Sequence, residues 1–110
     1  MSSIPVISLN VIRQAITWHQ MPQPLHLYCV DNFNFPDGRQ QATVKAYFNI
    51  QETIRVCNLS HFHETSQYAF MYRLQDCFCK DIAVVSIDVL DDKHEFEVTL
   101  SCVVEKHDHE

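Results

Sequence analysis

Glycine is nearly absent, with Gly38 the single one among 110 residues. One glycine rules out a glycine-rich loop that lets backbone approach a nucleotide phosphate, and neither Gly-x-Ser-x-Gly nor His-Glu-x-x-His occurs. Most turns must then be built by asparagine and aspartate, the other residues that visit left-handed backbone. No apolar run approaches the roughly 18 to 20 residues that cross a bilayer, so no membrane partner is expected. Met1 to Asn10 holds no basic residue and is broken by Pro5, Ser8 and Asn10, which does not read as a secretory signal. The expected compartment is the cytoplasm. Five cysteines, an odd number, argue against an extracellular disulfide framework, and all five are expected to be reduced.

Basic residues are scarce where acids are plentiful. Met1 to Lys80 carries five acids and six bases, a balance of +1; Asp81 to Glu110 carries nine acids and two bases, a balance of −7. The net charge of −6 is therefore concentrated in the last third of the chain. A pole of that sign repels phosphate backbones, so nucleic acid is not an expected partner. It serves solubility, or it offers a docking face to a basic protein.

What is present is the balance of a globular protein: 46% hydrophobic and 20% charged residues. The length has room for one core, expected over residues 1–105, followed by a flexible acidic and histidine-bearing tail over 106–110. The strongest local pattern is Ile82 to Val104, which alternates with a period of two and turns at Asp91-Asp92-Lys93-His94. Pairing Asp91 with His94 sets Val89 opposite Phe96, Ile87 opposite Val98, Val85 opposite Leu100 and Ala83 opposite Cys102, with Asp88 facing Glu97 outside. Two carboxylates in that position repel each other.

Upstream, Ile4 to Ile7 reads as an edge strand or arm. Leu9 to Met21 has a helical stripe that takes in Val11, Ile12, Ile16 and Trp18, with Ser8 as N-cap, Pro22 as stop and His19 near the end. Leu25 to Val30 alternates as a strand with Cys29 inward. Asp31 to Arg39 reads as a loop around Pro36-Asp37-Gly38, in which Phe33 and Phe35 are expected to fold back on the core. Gln41 to Ile50 is a strand, with Thr53 to Leu59 as its expected partner. Residues 66–79 contain no valine, isoleucine or threonine, which favours helix over the alternative of a strand. The fold expected is α+β: an antiparallel sheet of about five strands with an N-terminal helix and a second helix on one face. The alternative is a six-stranded antiparallel meander with a single helix.

Two candidate sites follow. The first is the outward face of the last hairpin, where Asp88, Glu95 and Glu97 stand beside Val84, Leu90 and Val103; acids around exposed aliphatics suit a partner with a basic surface. Self-association through the same face would bury the aliphatics but oppose like charges. The second is His61 and His63, which point the same way in extended backbone, together with Cys77 or Cys79; such a set suits zinc or copper. Cys77 and Cys79 would diverge on a helix, and the pattern lacks CxxC spacing. His107 and His109 form a similar pair in the tail. Cys57, Cys77 and Cys79 near these histidines are too little for a nucleophilic catalyst. The function expected is that of a small acidic non-enzymatic inhibitor, adaptor or accessory subunit without a cofactor, with transition-metal binding as the alternative.

Overall fold

The computed structural model describes residues 9–104. Its elements follow as α1 (Leu9–Trp18), β1 (His26–Asn34), β2 (Gln40–Asn49), α2 (Ile50–Cys57), α3 (Glu64–Gln75), β3 (Ile82–Leu90) and β4 (Glu95–Val104). The strands form one antiparallel sheet in the order β1-β2-β4-β3, so two hairpins join through their second strands. Among the described residues the fold is α+β with four strands, close to the five or so expected, and with three helices rather than the single helix of a meander. The Ile4–Ile7 arm, the Ser8 cap and the 106–110 tail with His107 and His109 lie outside the described residues. Among the described residues no helix is long and apolar enough to cross a membrane.

The buried face of the sheet comes from strict alternation. Ala42, Val44, Ala46 and Phe48 of β2 and Phe96, Val98, Leu100 and Cys102 of β4 are all at most 1% exposed. Ile12 and Ile16 of α1, Cys57 of α2, and Phe70 and Leu74 of α3 join the same cluster. Phe48 stacks on Phe96 at 5.3 Å, and Phe70 meets both edge-on at 5.4 and 5.1 Å. Burying each such side chain contributes about 1.5–3 kcal/mol, so these two central strands carry much of the stability.

Thr53 to Leu59 is not a strand. It falls in α2 and the turn after it, because Asn49 accepts a 2.8 Å hydrogen bond from the Glu52 N–H while Thr53 Oγ1 donates to the Asn49 carbonyl. Ile50, Thr53 and Cys57 then repeat with helical spacing toward the core, and β2 is already flanked by β1 and β4, which leaves no place for a further strand there. Asn58 ends the helix at φ 57°, and its N–H reaches the last carbonyls. Arg73 of α3 donates to the Cys57 carbonyl at 2.9 Å, placing a cation at the negative end of α2.

Three further boundaries move. α1 stops at Trp18, which is 83% exposed, as Ile12 and Ile16 define a narrower buried stripe than expected. β1 continues through Asp31–Asn34, where a register shift at Val30 lets Asn32 pair with Ala42 and Phe33 with Gln41. Phe33 and Phe35 do not join the core. They pack on each other at 4.8 Å, with the Arg39 guanidinium over Phe35. Gly38 takes φ 95° in the turn between them and β2, as its position requires.

The last hairpin forms, with Val89 opposite Phe96, Ile87 opposite Val98 and Asp88 opposite Glu97. Beyond Ser86 the register slips. Val85 is the extra residue of a bulge, and Val84 pairs with Leu100 and Ile82 with Cys102 in place of Val85 and Ala83. The slip places Ile82 and Val84, rather than the smaller Ala83 with Val85, on the core side. A 3₁₀ turn, Asp91–Lys93, and His94 at φ 56° close the hairpin, and the His94 carbonyl accepts from the Ile50 N–H at 3.0 Å, tying the tip to α2.

Candidate functional site

The helices gather on one face of the sheet, so the other is where the sequence-derived binding residues must be sought. Residues paired across strands share a face, which gives the outward rows directly. His26, Tyr47, Glu97 and Asp88 form one row; Tyr28, Lys45, Thr99 and Ser86 form the next.

The carboxylates in these rows are not equivalent. Glu97 is held by Tyr47, whose hydroxyl donates to Oε2 at 2.6 Å, and by Lys45 Nζ at 3.1 Å from Oε1, while Lys45 also donates to Thr99 Oγ1. The Tyr47 hydrogen bond, then those from Lys45 and its charge, draw the Glu97 carboxyl below its ordinary pKa against the opposing effect of burial. The same hydrogen bond raises the Tyr47 hydroxyl. Glu97 is thus neutralised by the sheet itself, which relieves its repulsion with Asp88 and removes it from the set free to attract a partner. Asp88 and Glu95 have no ion-pair partner among the described residues.

Leu90 and Val103 lie on the outward side but are half-buried rather than exposed. Val84 is not there. The bulge turns it inward against the core, and Val85, the extra residue, is 54% exposed at the sheet edge beside α3. In exchange, the sheet brings together residues that the sequence did not single out. His26, Tyr28 and Tyr47 pack with ring centroids 5.9–6.3 Å apart, and they line a cleft of about 320 Å³ with Leu90, Lys93 and Glu95. The alternation of Leu25 to Val30 and of Gln41 to Ile50 already put these aromatics outward. Which strand lay beside which was missing.

The four candidate metal ligands are not assembled. His61 and His63 stack at 4.5 Å with the rings 29° apart, and His61 Nδ1 is engaged by the His63 N–H and by Ser66 Oγ at 3.0 Å. Cys77 is buried after the end of α3, where its thiol donates to the Arg73 carbonyl and burial pushes it up to about 11; Cys79 is exposed. Among the described residues no group of three or more His, Cys, Asp or Glu side chains is placed to hold a metal ion. All five cysteines are free.

The outward face combines the aromatic cluster, Leu90, the Lys93 ammonium and two carboxylates without an ion-pair partner among the described residues, on a hydrogen-bonded support also stitched by Gln41 donating to Ser101 Oγ at 3.0 Å. Compared with known proteins, the chain matches no family model, no curated protein and no solved structure.

Proposed function

We propose that the protein is a non-catalytic binding module, acting as an inhibitor, adaptor or accessory subunit toward a protein with a basic surface. The observation that carries this reading is the asymmetry of the sheet: the three helices pack on one face, while the other holds the His26, Tyr28 and Tyr47 cluster beside Leu90, Glu95 and Asp88. Tyrosines supply large contact area at small entropic expense, and acids around them favour a cationic partner. Glu97, Lys45 and the Tyr47 hydroxyl belong to the support rather than to the contact.

The test compares partner recovery from the native host with wild-type protein, with Asp88→Ser/Glu95→Ser and with Tyr28→Ser. The side chains changed lie on the solvent side, so melting temperatures should match. A partner captured by wild type in a salt-sensitive manner and depleted about tenfold by either variant supports the reading. Equal recovery by all three overturns it.

A further inference from the structure

A second surface lies at the edge of the sheet, where β3 meets α3. Two depressions of about 290 and 320 Å³ run along this seam and share Tyr68 and Met71, so they form one groove. Its helix wall presents Tyr68 and Tyr72, one turn apart and 56% and 76% exposed; its strand wall presents Val85 and Ile87. Neither tyrosine has a ring or hydrogen-bond partner among the described residues. Large exposed apolar surface beside an unpaired strand edge marks a contact site.

The edge is guarded over half its length. Gln75 Nε2 donates to the Ile82 carbonyl and its Oε1 accepts from the Val84 N–H, both at 2.8 Å, so one side-chain amide imitates a neighbouring strand. The Val85 bulge follows at once. From Ser86 to Leu90 neither device is present, and the groove, whose strand side is Val84 to Ile87, overlaps this open stretch at Ser86 and Ile87.

We infer that this groove takes an extended peptide segment, which adds as a fifth strand beside Ser86–Leu90 with apolar side chains directed inward under Tyr68 and Met71 and lysine or arginine directed outward beside Asp88. The inference rests on the protein-binding reading above and names a partner for it. Strand addition satisfies the free backbone groups of the edge, and the alternation of the peptide follows from the pleat. Charge selects the occupant. Among the described residues Glu64 is the only charged one lining the groove, Asp88 projects from the open edge, and Asp91 and Asp92 outnumber Lys93 in the turn at its end. A second copy of this chain would bring the same acids along the shared seam, whereas a cationic segment is attracted by all of them.

The probe is a fluorescent, capped peptide of about eight residues alternating lysine with valine or leucine. Its controls carry glutamate for lysine, or N-methyl groups on alternate residues. Wild-type protein should bind the lysine peptide with a micromolar Kd that weakens with salt, and should bind neither control. Tyr68→Ser, at an exposed position that the fold does not need, should weaken binding tenfold or more, and peptide should slow amide hydrogen exchange at Ser86–Leu90. Binding unchanged in Tyr68→Ser, or protection falling elsewhere, overturns the proposal. A dimer seen by light scattering and lost in Tyr68→Ser also overturns it, assigning the groove to a second copy. If Tyr28→Ser loses the native partner while the lysine peptide fails to bind wild type, the groove falls and the outward-face reading stands. The converse result supports the groove alone.

Discussion

The Tyr47 hydroxyl donates a 2.6 Å hydrogen bond to Glu97 Oε2 across the two central strands of the sheet. Lys45 approaches the other carboxylate oxygen from the same strand, and both residues are less than a third exposed. A hydrogen-bonded carboxylate of this kind stabilises the fold more when ionised than when protonated. Because the Glu97 pKa is lowered on folding, its contribution is present above the ordinary value of about 4.5 and is lost as pH falls through the folded value. Glu97→Gln should therefore reduce stability at pH 7 by about 1–2 kcal/mol and flatten the acid limb of a urea-denaturation series. An acid limb as steep as that of wild type would contradict the assignment.

Gln75 should protect the edge of β3 as well as stabilise it. Gln75→Ala removes two hydrogen bonds and bares the Ile82 carbonyl and Val84 N–H, at an expected loss of about 1–3 kcal/mol. Light scattering at high concentration should show association that wild type lacks. Gln75→Glu keeps an acceptor for Val84 but offers no donor to Ile82, so its stability should fall between the two.

Phe70 links the helix layer to the sheet through edge-on contacts with Phe48 and Phe96. It is fully buried, and Phe70→Ala should destabilise by about 3–5 kcal/mol. A domain of this size loses roughly 4 to 8 °C of melting temperature per kcal/mol, so the transition should fall by well over 10 °C. Phe33→Ala, outside the core, should shift it by no more than a few degrees.

Cysteine reactivity should divide by depth. Burial raises the Cys57 thiol and pushes Cys77 and Cys102 up to about 11, whereas Cys79 is exposed. Alkylation of native protein at pH 8, followed by peptide mapping, should label Cys79 rapidly and leave Cys57, Cys77 and Cys102 to be modified only in denaturant. Raised thiol values contribute stability that is complete below the ordinary thiol range and is lost as pH rises through about 11, so unfolding should become easier on strong alkalinisation.

Much of the architecture is legible in the sequence because alternation reports burial. The inward residues of β2 and β4, the closing hairpin and the helical character of α3 all follow from period and composition. Thr53 to Leu59 misleads because Ile54 and Val56 imitate a strand, while the deciding signal is a cap: Asn49 bonding ahead to Glu52 and Thr53 bonding back. An eight-residue helix offers too few turns for its period to outweigh two β-branched residues. The outward site was half visible. Asp88, Glu95 and Leu90 keep their expected side, but Val84 changes sides at a bulge whose extra residue has no signature in composition. The role of Glu97 depends on β2 lying beside β4, a pairing between residues some fifty positions apart that no local pattern encodes. The aromatic cluster is assembled by the same pairing.

The left-handed positions at Gln20, Asn58 and His94 are all filled by residues that carry a side chain. In each, the local backbone is less favourable than it would be for glycine, yet the disordered chain also has fewer conformations to give up on folding. A sequence that spells its turns this way holds its denatured ensemble comparatively narrow, so part of its margin of stability arises before any tertiary contact is made.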